Sequence, residues 1–234
     1  MNHELKKMIS ESNRIVFFGG AGVSTESGIP DFRSVDGLYH LSYKYPPETM
    51  LSNTFFWNNT AEFYEFYKDK MICLDALPND AHKFLVQLEE DGKLSAIVTQ
   101  NIDNLHYMAG SKKVYELHGN VHRNYCTKCK KFYDVHKMLT PKIPTCTCGG
   151  VIKPDVVLYE EGLPEAAVSG AVSAIQNCDM LIIAGTSLNV YPAASFIHYF
   201  KGKYLVVINK SELSVKADLV ITDAVGKTFR ELME

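Results

Sequence analysis

The most informative stretch for the fold is Ile15-Val16-Phe17-Phe18-Gly19-Gly20-Ala21-Gly22-Val23-Ser24. Its first four residues are apolar and either β-branched or aromatic, a composition that favours a buried strand. Glycines follow directly, and they let the backbone approach a bound pyrophosphate while the next helical turn offers its N–H groups. A plain tight turn would use the same residues, so the rest of the chain must decide between these two interpretations.

Apolar runs of this kind recur along the chain. They are Ala96-Ile97-Val98-Thr99, Leu181-Ile182-Ile183-Ala184, Leu205-Val206-Val207-Ile208 and Asp218-Leu219-Val220-Ile221-Thr222. Because they are continuously apolar rather than alternating, they predict a parallel sheet covered by helices on both faces. Helices are predicted at residues 1–13, 81–90, 165–177, 193–200 and 225–233. The expected fold class is α/β, with a Rossmann-like doubly wound parallel sheet.

The composition narrows the class of protein. The chain has 234 residues, of which 46% are hydrophobic and 22% charged, as is typical of a globular protein with a substantial core. Its formal net charge is −3 and no stripe of Lys and Arg is present, which argues against nucleic-acid binding. The N-terminus has no apolar signal core, and the apolar runs are too short to span a bilayer. We expect a cytoplasmic monomer without membrane contact.

Four of the six cysteines form two closely spaced pairs. Cys126-x2-Cys129 and Cys146-x-Cys148 are separated by 16 residues, a spacing typical of a zinc module rather than of disulfides in an intracellular chain. Four thiolates complete the tetrahedral coordination of zinc, so no position stays open for chemistry and the metal is expected to be structural. The other two cysteines, Cys73 and Cys178, are interpreted as buried structural thiols.

Two segments interrupt the alternation of strands and helices. Residues 48–71 are predicted to be helical and are rich in aromatic side chains, and residues 123–152 hold the four paired cysteines. We expect both to belong to a smaller inserted domain of residues 40–75 and 121–152. A Rossmann-like dinucleotide-binding domain then comprises residues 1–39, 76–120 and 153–234. The cleft between the two domains is the expected active site.

Polar residues follow two of the predicted strands. Gln100-Asn101-Ile102-Asp103 stands at the carboxyl end of a strand, where open α/β sheets bind ligands, and its amides and carboxylate suit ribose hydroxyls and a carboxamide. Capping of a helix by Asn101 or Asp103 is the alternative and is compatible with a site. His118, in Tyr115-Glu116-Leu117-His118-Gly119-Asn120, also ends a short strand and is a candidate proton acceptor because of that position.

A polar loop follows the glycine-rich turn. It reads Thr25-Glu26-Ser27-Gly28-Ile29-Pro30-Asp31-Phe32-Arg33 and carries an aromatic ring and a guanidinium. Such a composition is unusual for a simple connection and suits a loop that folds over a bound cofactor.

Taken together, these blocks resemble the sirtuin family of NAD-dependent protein deacylases, and the chain is similar in extent to its small bacterial members. The resemblance covers nearly the whole chain. It rests on Gly20-Ala21-Gly22-Val23-Ser24, Gly28-Ile29-Pro30-Asp31-Phe32-Arg33, Thr99-Gln100-Asn101-Ile102-Asp103, His118-Gly119, the four cysteines, Gly185-Thr186-Ser187-Leu188 and Ile208-Asn209.

The resemblance implies an NAD site and a peptide site. The NAD-binding residues that it implies are Gly20, Ala21, Gly22, Thr25, Asp31, Phe32, Arg33, Gln100, Asn101, Ile102, Asp103, Gly185, Thr186, Ser187, Asn209 and Val225. The implied substrate-binding residues are Val156, Val157, Tyr159, Glu160, Asn189, Tyr64 and Tyr67. Proteins that carry acyl-lysine would be the substrates.

The resemblance also implies a mechanism, in which His118 and Asn101 are the catalytic residues. The acyl oxygen of acyl-lysine would attack the ribose carbon as nicotinamide leaves. His118, in its neutral form, would then remove a proton from a ribose hydroxyl that attacks the acyl carbon. The products would be free lysine, nicotinamide and O-acyl-ADP-ribose.

Two departures from the family pattern bear on the substrate. Tyr159-Glu160-Glu161 stands where many members have Phe-Gly-Glu, so Glu160 replaces a glycine and is hypothesised to favour basic peptides. Members that remove acidic acyl groups carry Tyr-x-x-Arg, whereas this chain has Tyr at both positions, 64 and 67. Without that cation, acetyl or another neutral acyl group is expected rather than succinyl, unless Lys68 substitutes for it.

Two other functions remain open at the level of sequence. A mono-ADP-ribosyltransferase would use the same cleavage of NAD, although it would not need the second-step base that His118 provides. A non-catalytic NAD sensor or zinc-dependent interaction module is the other alternative.

Overall fold

The chain alternates strands and helices except in residues 47–90, which hold four successive α-helices, and in residues 114–156, which hold four strands without an α-helix between them. The structure is a computed structural model that describes residues 2–31 and 44–234. Its strands are β1 (Ile15–Gly19), β2 (Leu94–Thr99), β3 (Val114–Glu116), β4 (Gly119–Cys126), β5 (Phe132–Tyr133), β6 (Ile152–Val156), β7 (Met180–Ala184), β8 (Tyr204–Ile208) and β9 (Leu219–Ile221). Its α-helices are α1 (Asn2–Glu11), α2 (Pro47–Met50), α3 (Asn53–Asn58), α4 (Thr60–Lys70), α5 (Asp80–Glu90), α6 (Leu105–Ala109), α7 (Glu165–Asn177) and α8 (Val225–Met233).

The larger sheet is parallel throughout. Its six strands run in the order β3-β2-β1-β7-β8-β9, and Phe17 of β1 pairs with Ile97 of β2 on one side and with Ile182 of β7 on the other. The order reverses at β1, so the connections after β1 and β7 diverge and leave a crevice at the carboxyl edge of the sheet. The predicted Rossmann-like parallel sheet is confirmed.

Helices cover both faces of this sheet and bury its continuous apolar runs. On one face Phe17, Ile97 and Ile182 pack in a core that includes residues of α1, α5 and α8. On the other face Phe18 and Ile183 pack in a core that includes residues of α7. Because alternate residues point to opposite faces and both faces are covered, all five residues of β1 are buried.

The smaller domain has its own sheet and its own core. β4 pairs antiparallel with β5 and with β6, so the three strands run in the order β5-β4-β6. This sheet begins at Gly119 and ends at Val156, beyond the limits of 121 and 152 that the sequence predicts for the smaller domain. Aromatic residues of α3 and α4 pack against it, with Phe56, Phe63 and Tyr67 fully buried.

The predicted helices occur with small changes. Residues 165–177 and 225–233 are helical as predicted, whereas residues 193–199 form a 3₁₀-helix. Residues 48–71 are divided into α2, α3 and α4, because Ser52 accepts a hydrogen bond from the Phe55 amide and so starts a new helix. None of the helices that the structure describes is long and apolar enough to cross a membrane.

Candidate functional site

A cavity of about 570 Å³ lies at the carboxyl edge of the parallel sheet and extends to the smaller domain. Most residues that the resemblance implied line it. They are Gly20, Ala21, Gly22, Thr25, Asp31, Tyr67, Gln100, Asn101, Ile102, Asp103, His118, Val156, Val157, Tyr159, Glu160, Gly185, Thr186, Ser187, Asn209 and Val225. Among the residues that the structure describes, Tyr64 and Asn189 do not reach the lining. Phe32 and Arg33 lie outside the described residues.

The glycine-rich turn packs directly against the segment after β7. A Cβ atom on Gly20 would lie 2.8 Å from Thr186 Cβ, and one on Gly22 would lie 2.7 Å from Gly185 Cα. Side chains at either position would therefore push the two connections apart. Their close approach brings two strand ends to one cavity wall, and the Gly22 amide joins them by donating to the Gly185 carbonyl oxygen at 2.8 Å.

Three polar side chains join this turn to the segment after β2. Asn101 Nδ2 donates to Ser24 Oγ at 3.0 Å, and Ser24 Oγ donates to Asp103 Oδ2 at 2.6 Å. Burial raises the pKa of Asp103, although the hydrogen bonds from Ser24 and from the Leu105 amide oppose that shift. Asp103 Oδ1 also accepts a hydrogen bond at 2.9 Å from the amide of Leu105, the first residue of α6, in agreement with the helix-capping alternative. Sequence reasoning did not single out Ser24.

The ring of His118 is held by the backbone of the same segment. His118 Nδ1 lies 2.9 Å from the Gln100 carbonyl oxygen, which can only accept a hydrogen bond. Nδ1 must therefore carry the proton, and Nε2 of the neutral ring is left as a proton acceptor. Partial burial lowers the pKa of His118, while the hydrogen bond to Gln100 opposes that shift. The imidazole of His118 therefore stays neutral at lower pH than an ordinary histidine does.

A tight turn behind His118 depends on Gly119. This residue has φ +79°, and a Cβ atom on it would lie 1.9 Å from the Asp155 carbonyl oxygen. Only glycine fits there. The turn joins β3 to β4 and also pairs with β6, since the Val157 amide donates to the His118 carbonyl at 2.9 Å.

An ion pair network stabilises the outer side of the same turn. Arg123 donates to Glu116 Oε2 at 2.6 Å and to Asp155 Oδ2 at 2.8 Å, and so joins β3, β4 and β6. Asn120, which is buried, donates to Asn104 Oδ1 at 2.8 Å. These contacts fix the position of His118 between the two sheets.

The far end of the cavity is formed by segments distant in sequence. Asn209 follows β8, and its side-chain Nδ2 donates to the Ser211 carbonyl oxygen at 2.9 Å. Glu26 accepts hydrogen bonds from the amides of Gly226 at 2.6 Å and Lys227 at 3.1 Å, so it caps α8 and joins it to the glycine-rich loop. Sequence reasoning did not find the role of Glu26, because its partner lies 200 residues away.

The four paired cysteines lie together in the smaller domain. Their Sγ atoms are all within 4.8 Å of one another, and those of Cys126 and Cys148 are 3.5 Å apart. A disulfide would need about 2 Å, whereas four thiolates around one zinc lie at about the observed separations. Amide donors from Cys129 and Lys128 to Cys126 Sγ favour the thiolate and lower the pKa of Cys126. The donor set fits structural zinc.

The segment where Glu160 replaces a glycine is tied to α3. Tyr159 forms a parallel bridge with Ser52, and Glu160 has φ +74°, the left-handed conformation that a glycine adopts easily. Glu160 Oε2 accepts a hydrogen bond from the Thr54 amide at 2.8 Å, which offsets part of the cost of that conformation. Glu161 accepts from Asn53 Nδ2 at 2.6 Å and from the Leu158 amide at 2.9 Å, and so closes the turn.

The two tyrosines of α4 have different surroundings. Tyr64 is buried outside the cavity, and its hydroxyl donates to the Ile152 carbonyl oxygen. Tyr67 is also buried, but it lines the cavity. Lys68 Nζ donates to the Lys142 carbonyl oxygen at 2.7 Å, so it is directed toward the cysteine segment.

Known proteins resemble this chain over its whole length. A model of the Sir2 family matches residues 20–192. The NAD-dependent protein deacetylase of Clostridium acetobutylicum is 58% identical, over 99% of this chain and 97% of that relative. A structure of Sir2 with a p53 peptide and NAD⁺ has a TM-score of 0.88 and 39% identity, and covers 100% of this chain and 97% of its own. A Sir2 variant with deacetylated p53 peptide and 3′-O-acetyl ADP-ribose has a TM-score of 0.91 and 39% identity, with coverage of 99% and 96%.

Proposed function

This chain belongs to the Sir2 family, and from that premise we propose which of its residues carry out the reaction. The protein is an NAD-dependent protein-lysine deacetylase that releases nicotinamide, deacetylated lysine and O-acetyl-ADP-ribose. The observation that supports our assignment of residues is the geometry around His118, which lines the cavity with one ring nitrogen bonded to a backbone carbonyl.

His118 acts as the general base. Its Nδ1–H is used by the Gln100 carbonyl, so Nε2 is the atom that takes a proton from a ribose hydroxyl during acyl transfer. Burial lowers the pKa of the ring, which keeps Nε2 unprotonated at neutral pH. Asn101, held through Ser24, orients the ribose that carries this hydroxyl.

The two walls of the cavity hold NAD, which supplies an electrophilic ribose carbon when it is bound. We assign the pyrophosphate to Gly20, Ala21 and Gly22, which line the cavity where side chains at the two glycine positions would collide with Gly185 and Thr186. Asp103 and the Ile102 backbone receive the carboxamide, and Thr186, Ser187 and Asn209 line the adenosine end. Thr25, Asp31, Phe32, Arg33, Gly185, Gln100 and Val225 complete the set of proposed NAD contacts.

The peptide lies along the segment after β6 and adds a strand to it. Val156, Val157, Tyr159 and Glu160 line the cavity there, as do Val190 and Tyr191, which follow the proposed peptide-binding residue Asn189. Tyr67 lines the acyl end with apolar neighbours. The cationic side chain of Lys68 is bonded to carbonyls elsewhere and that of Lys70 is paired with Asp69 at 2.9 Å, which favours a neutral acyl group over succinyl.

The test is His118→Ala, assayed with NAD and an acetyl-lysine peptide. Deacetylation should fall by at least about 10²-fold, because general-base catalysis contributes about that much or more. Zinc content and the free energy of unfolding should stay near those of the wild type, since the ring bonds to a backbone carbonyl at the cavity and not to another side chain of the described residues. Full deacetylation by this variant would refute the assignment.

The pH dependence of the wild type provides a second test. Because burial lowers the pKa of His118, the base is fully neutral above its usual pKa and becomes protonated only as pH falls below it. The acid limb of kcat/KM should therefore lie below pH 6.5. A limb above pH 7 would contradict the assignment.

Two expectations about the cell and the assembly complete the proposal. We infer that the protein acts in the cytoplasm and as a monomer. Light scattering coupled to size-exclusion chromatography measures the assembly, and a dimer at micromolar concentration would overturn the monomer.

A further inference from the structure

The first turn of α8 receives its cap from a distant part of the chain. Ala224 precedes this helix, and its side chain has no oxygen that could accept hydrogen bonds from the helix amides. Glu26, in the loop after β1, accepts them instead, from the Gly226 amide at 2.6 Å and from the Lys227 amide at 3.1 Å. A carboxylate is favoured at a helix N-terminus by such hydrogen bonds and by the helix dipole. The contact therefore connects the loop firmly to α8.

The loop that carries Glu26 is short and internally bonded. It consists of two consecutive 3₁₀-helical turns, Ala21–Val23 and Thr25–Ser27. Thr25 Oγ1 donates to the Gly22 carbonyl oxygen at 3.1 Å and so joins the second turn to the first. A displacement of Glu26 should therefore move Thr25 and the glycine-rich turn with it.

Glu26 lies behind the cavity wall rather than in it. Thr25, its neighbour in the chain, lines the cavity, and so does Val225, the first residue of α8. Neither Glu26 nor Gly226 belongs to the lining that the described residues form. The carboxylate thus joins two parts of the wall without facing the cavity itself.

Helix α5 supports the same loop from a second side. Asn79, which precedes α5, donates through Nδ2 to the Val23 carbonyl oxygen at 2.8 Å and to Ser27 Oγ at 2.9 Å. Arg230 of α8 donates to Asp80 of α5 at 2.5 Å, a contact that joins the two helices without touching the loop. Two carboxylates therefore bind α8 here, and they differ in whether they connect it to the loop or to α5.

We propose that Glu26 is a positioning residue for NAD, which holds the loop after β1 against α8 and thereby sets the affinity of the cavity for NAD. The inference rests on the proposed function, because Thr25 and Val225 are proposed NAD contacts. Glu26 touches neither NAD nor peptide and takes no part in bond making. Loss of its contact with α8 should therefore weaken NAD binding and leave the chemical steps unchanged.

Glu26→Gln removes the charge and leaves one oxygen for two amides. At saturating acetyl peptide the KM for NAD should rise about 3- to 10-fold, as expected for the loss of a charge-assisted hydrogen bond. The kcat and the KM for the acetyl peptide should stay within about twofold of the wild type. The dissociation constant of ADP-ribose, measured by calorimetry on the zinc-loaded full chain, should rise by the same factor as the KM for NAD. This binding measurement does not depend on turnover.

Gly226→Ala tests the same contact from the side of the helix. A Cβ atom on Gly226 would lie 2.7 Å from Glu26 Oε2, so the carboxylate must leave the amides although its charge is retained. Because alanine has a higher helix propensity than glycine, α8 itself should not become less stable. The dissociation constant of ADP-ribose should again rise about 3- to 10-fold. An increase in both variants would follow the contact and not the stability of the helix.

Asp80→Asn is the matched control. It removes the other carboxylate that binds α8 and leaves the hydrogen bonds of Glu26 in place. Its KM for NAD and its dissociation constant for ADP-ribose should stay within about twofold of the wild type. Urea unfolding of all three variants measures their stabilities independently of NAD.

Three outcomes would overturn the inference. They are an ADP-ribose dissociation constant within about twofold of the wild type in either Glu26→Gln or Gly226→Ala, an equal increase in Asp80→Asn, and a lower kcat with an unchanged KM for NAD in Glu26→Gln. Wild-type activity separates such a failure from a broader one. If the wild type deacetylates the acetyl peptide, only the role of Glu26 is wrong; without NAD-dependent deacetylation, the proposed function is wrong as well.

Discussion

The two sheets of this protein are stabilised in different ways. In the parallel sheet all residues of β1 and β7 are buried, and helices cover both faces. In the antiparallel sheet β5 has two residues, of which Phe132 is 52% exposed, and a set of four cysteines lies at one end. The first sheet depends on burial of apolar surface, whereas we expect the loops of the second to depend on zinc bound by the four cysteines. His118, the proposed general base, lies where the two sheets meet, so its position depends on both.

Removal of zinc should have the largest effect, and it should affect the antiparallel sheet much more than the parallel sheet. Structural zinc supplies about 10–16 kcal/mol to small metal-binding modules, more than the short strands of the smaller sheet can replace. Chelation, or Cys146→Ser, should abolish deacetylation and unfold β4–β6. Hydrogen exchange followed by mass spectrometry should show loss of protection there, with protection retained in β1 and β7.

Cys178→Ala is the control, since this buried cysteine belongs to the core of the larger domain. It should keep one zinc per chain by elemental analysis. Full protection of β4–β6 in the metal-free protein would show that the smaller sheet does not need zinc.

Gly119→Ala should disturb the junction between the sheets. The added Cβ would meet the Asp155 carbonyl at 1.9 Å, and φ +79° is unfavourable for alanine. We expect a loss of about 2–5 kcal/mol in the free energy of unfolding, together with a larger fractional loss of kcat. Gly162→Ala, where a Cβ meets no atom of the described chain within 4 Å, should change neither quantity by much. Equal stabilities of the two variants in urea titrations would contradict our account of the turn.

His82→Gln should change the acid stability of the larger domain, which holds the parallel sheet, without affecting the smaller domain. His82 is fully buried at the start of α5, and its Nε2 and both ring nitrogens of His106 have no partner within the described chain. Burial lowers the pKa of His82 from 6.5 to about 4. In the unfolded chain His82 therefore binds a proton below about pH 6.5, whereas in the folded chain it does so only below about pH 4. The free energy of unfolding consequently decreases as pH falls across that interval.

The measurement is urea unfolding of the wild type and His82→Gln between pH 7 and pH 4. Glutamine can still accept the Asn79 amide hydrogen bond that His82 Nδ1 accepts at 3.2 Å. The decline in the variant should be shallower by up to about 1.4 kcal/mol per pH unit. His198→Gln, at an exposed position, is the control. Parallel curves for the wild type and His82→Gln would refute this source of acid sensitivity.

Glu160→Gly should have the smallest effect. The free energy of unfolding should change by less than about 1 kcal/mol, because relief at φ +74° offsets loss of the Thr54 hydrogen bond. The ratio of kcat/KM for basic over acidic acetyl peptides should fall, since a carboxylate at the rim is lost. Glu160→Gln separates charge from backbone conformation. Equal turnover of both peptides by wild type and Glu160→Gly would remove the hypothesis that Glu160 sets peptide preference.

Local patterns predicted the elements well and their limits less well. The apolar run that starts at Ile15 predicted β1, and the pattern of residues 165–177 predicted α7. Both predictions succeeded because apolar composition and its periodicity involve only residues that are close in sequence. The prediction of helix for residues 48–71 was correct, but it did not include the division at Ser52. There a single capping hydrogen bond competes with continuation of the helix. The short helix α6 was not predicted, since its five residues carry too little periodic pattern.

From the amino-acid sequence we could infer the fold class, the four cysteines that cluster and the residues available for chemistry. Strand-forming runs, cysteine spacing and motif order are local features, and they lead to the same family that the comparisons identify. Only the tertiary structure showed that Tyr67, and not Tyr64 three residues earlier, lines the cavity. It also showed that Ser24 joins Asn101 to Asp103 and that His118 forms a hydrogen bond through Nδ1. Each of these depends on contacts between segments far apart in the chain, where packing rather than local propensity sets the direction of a side chain.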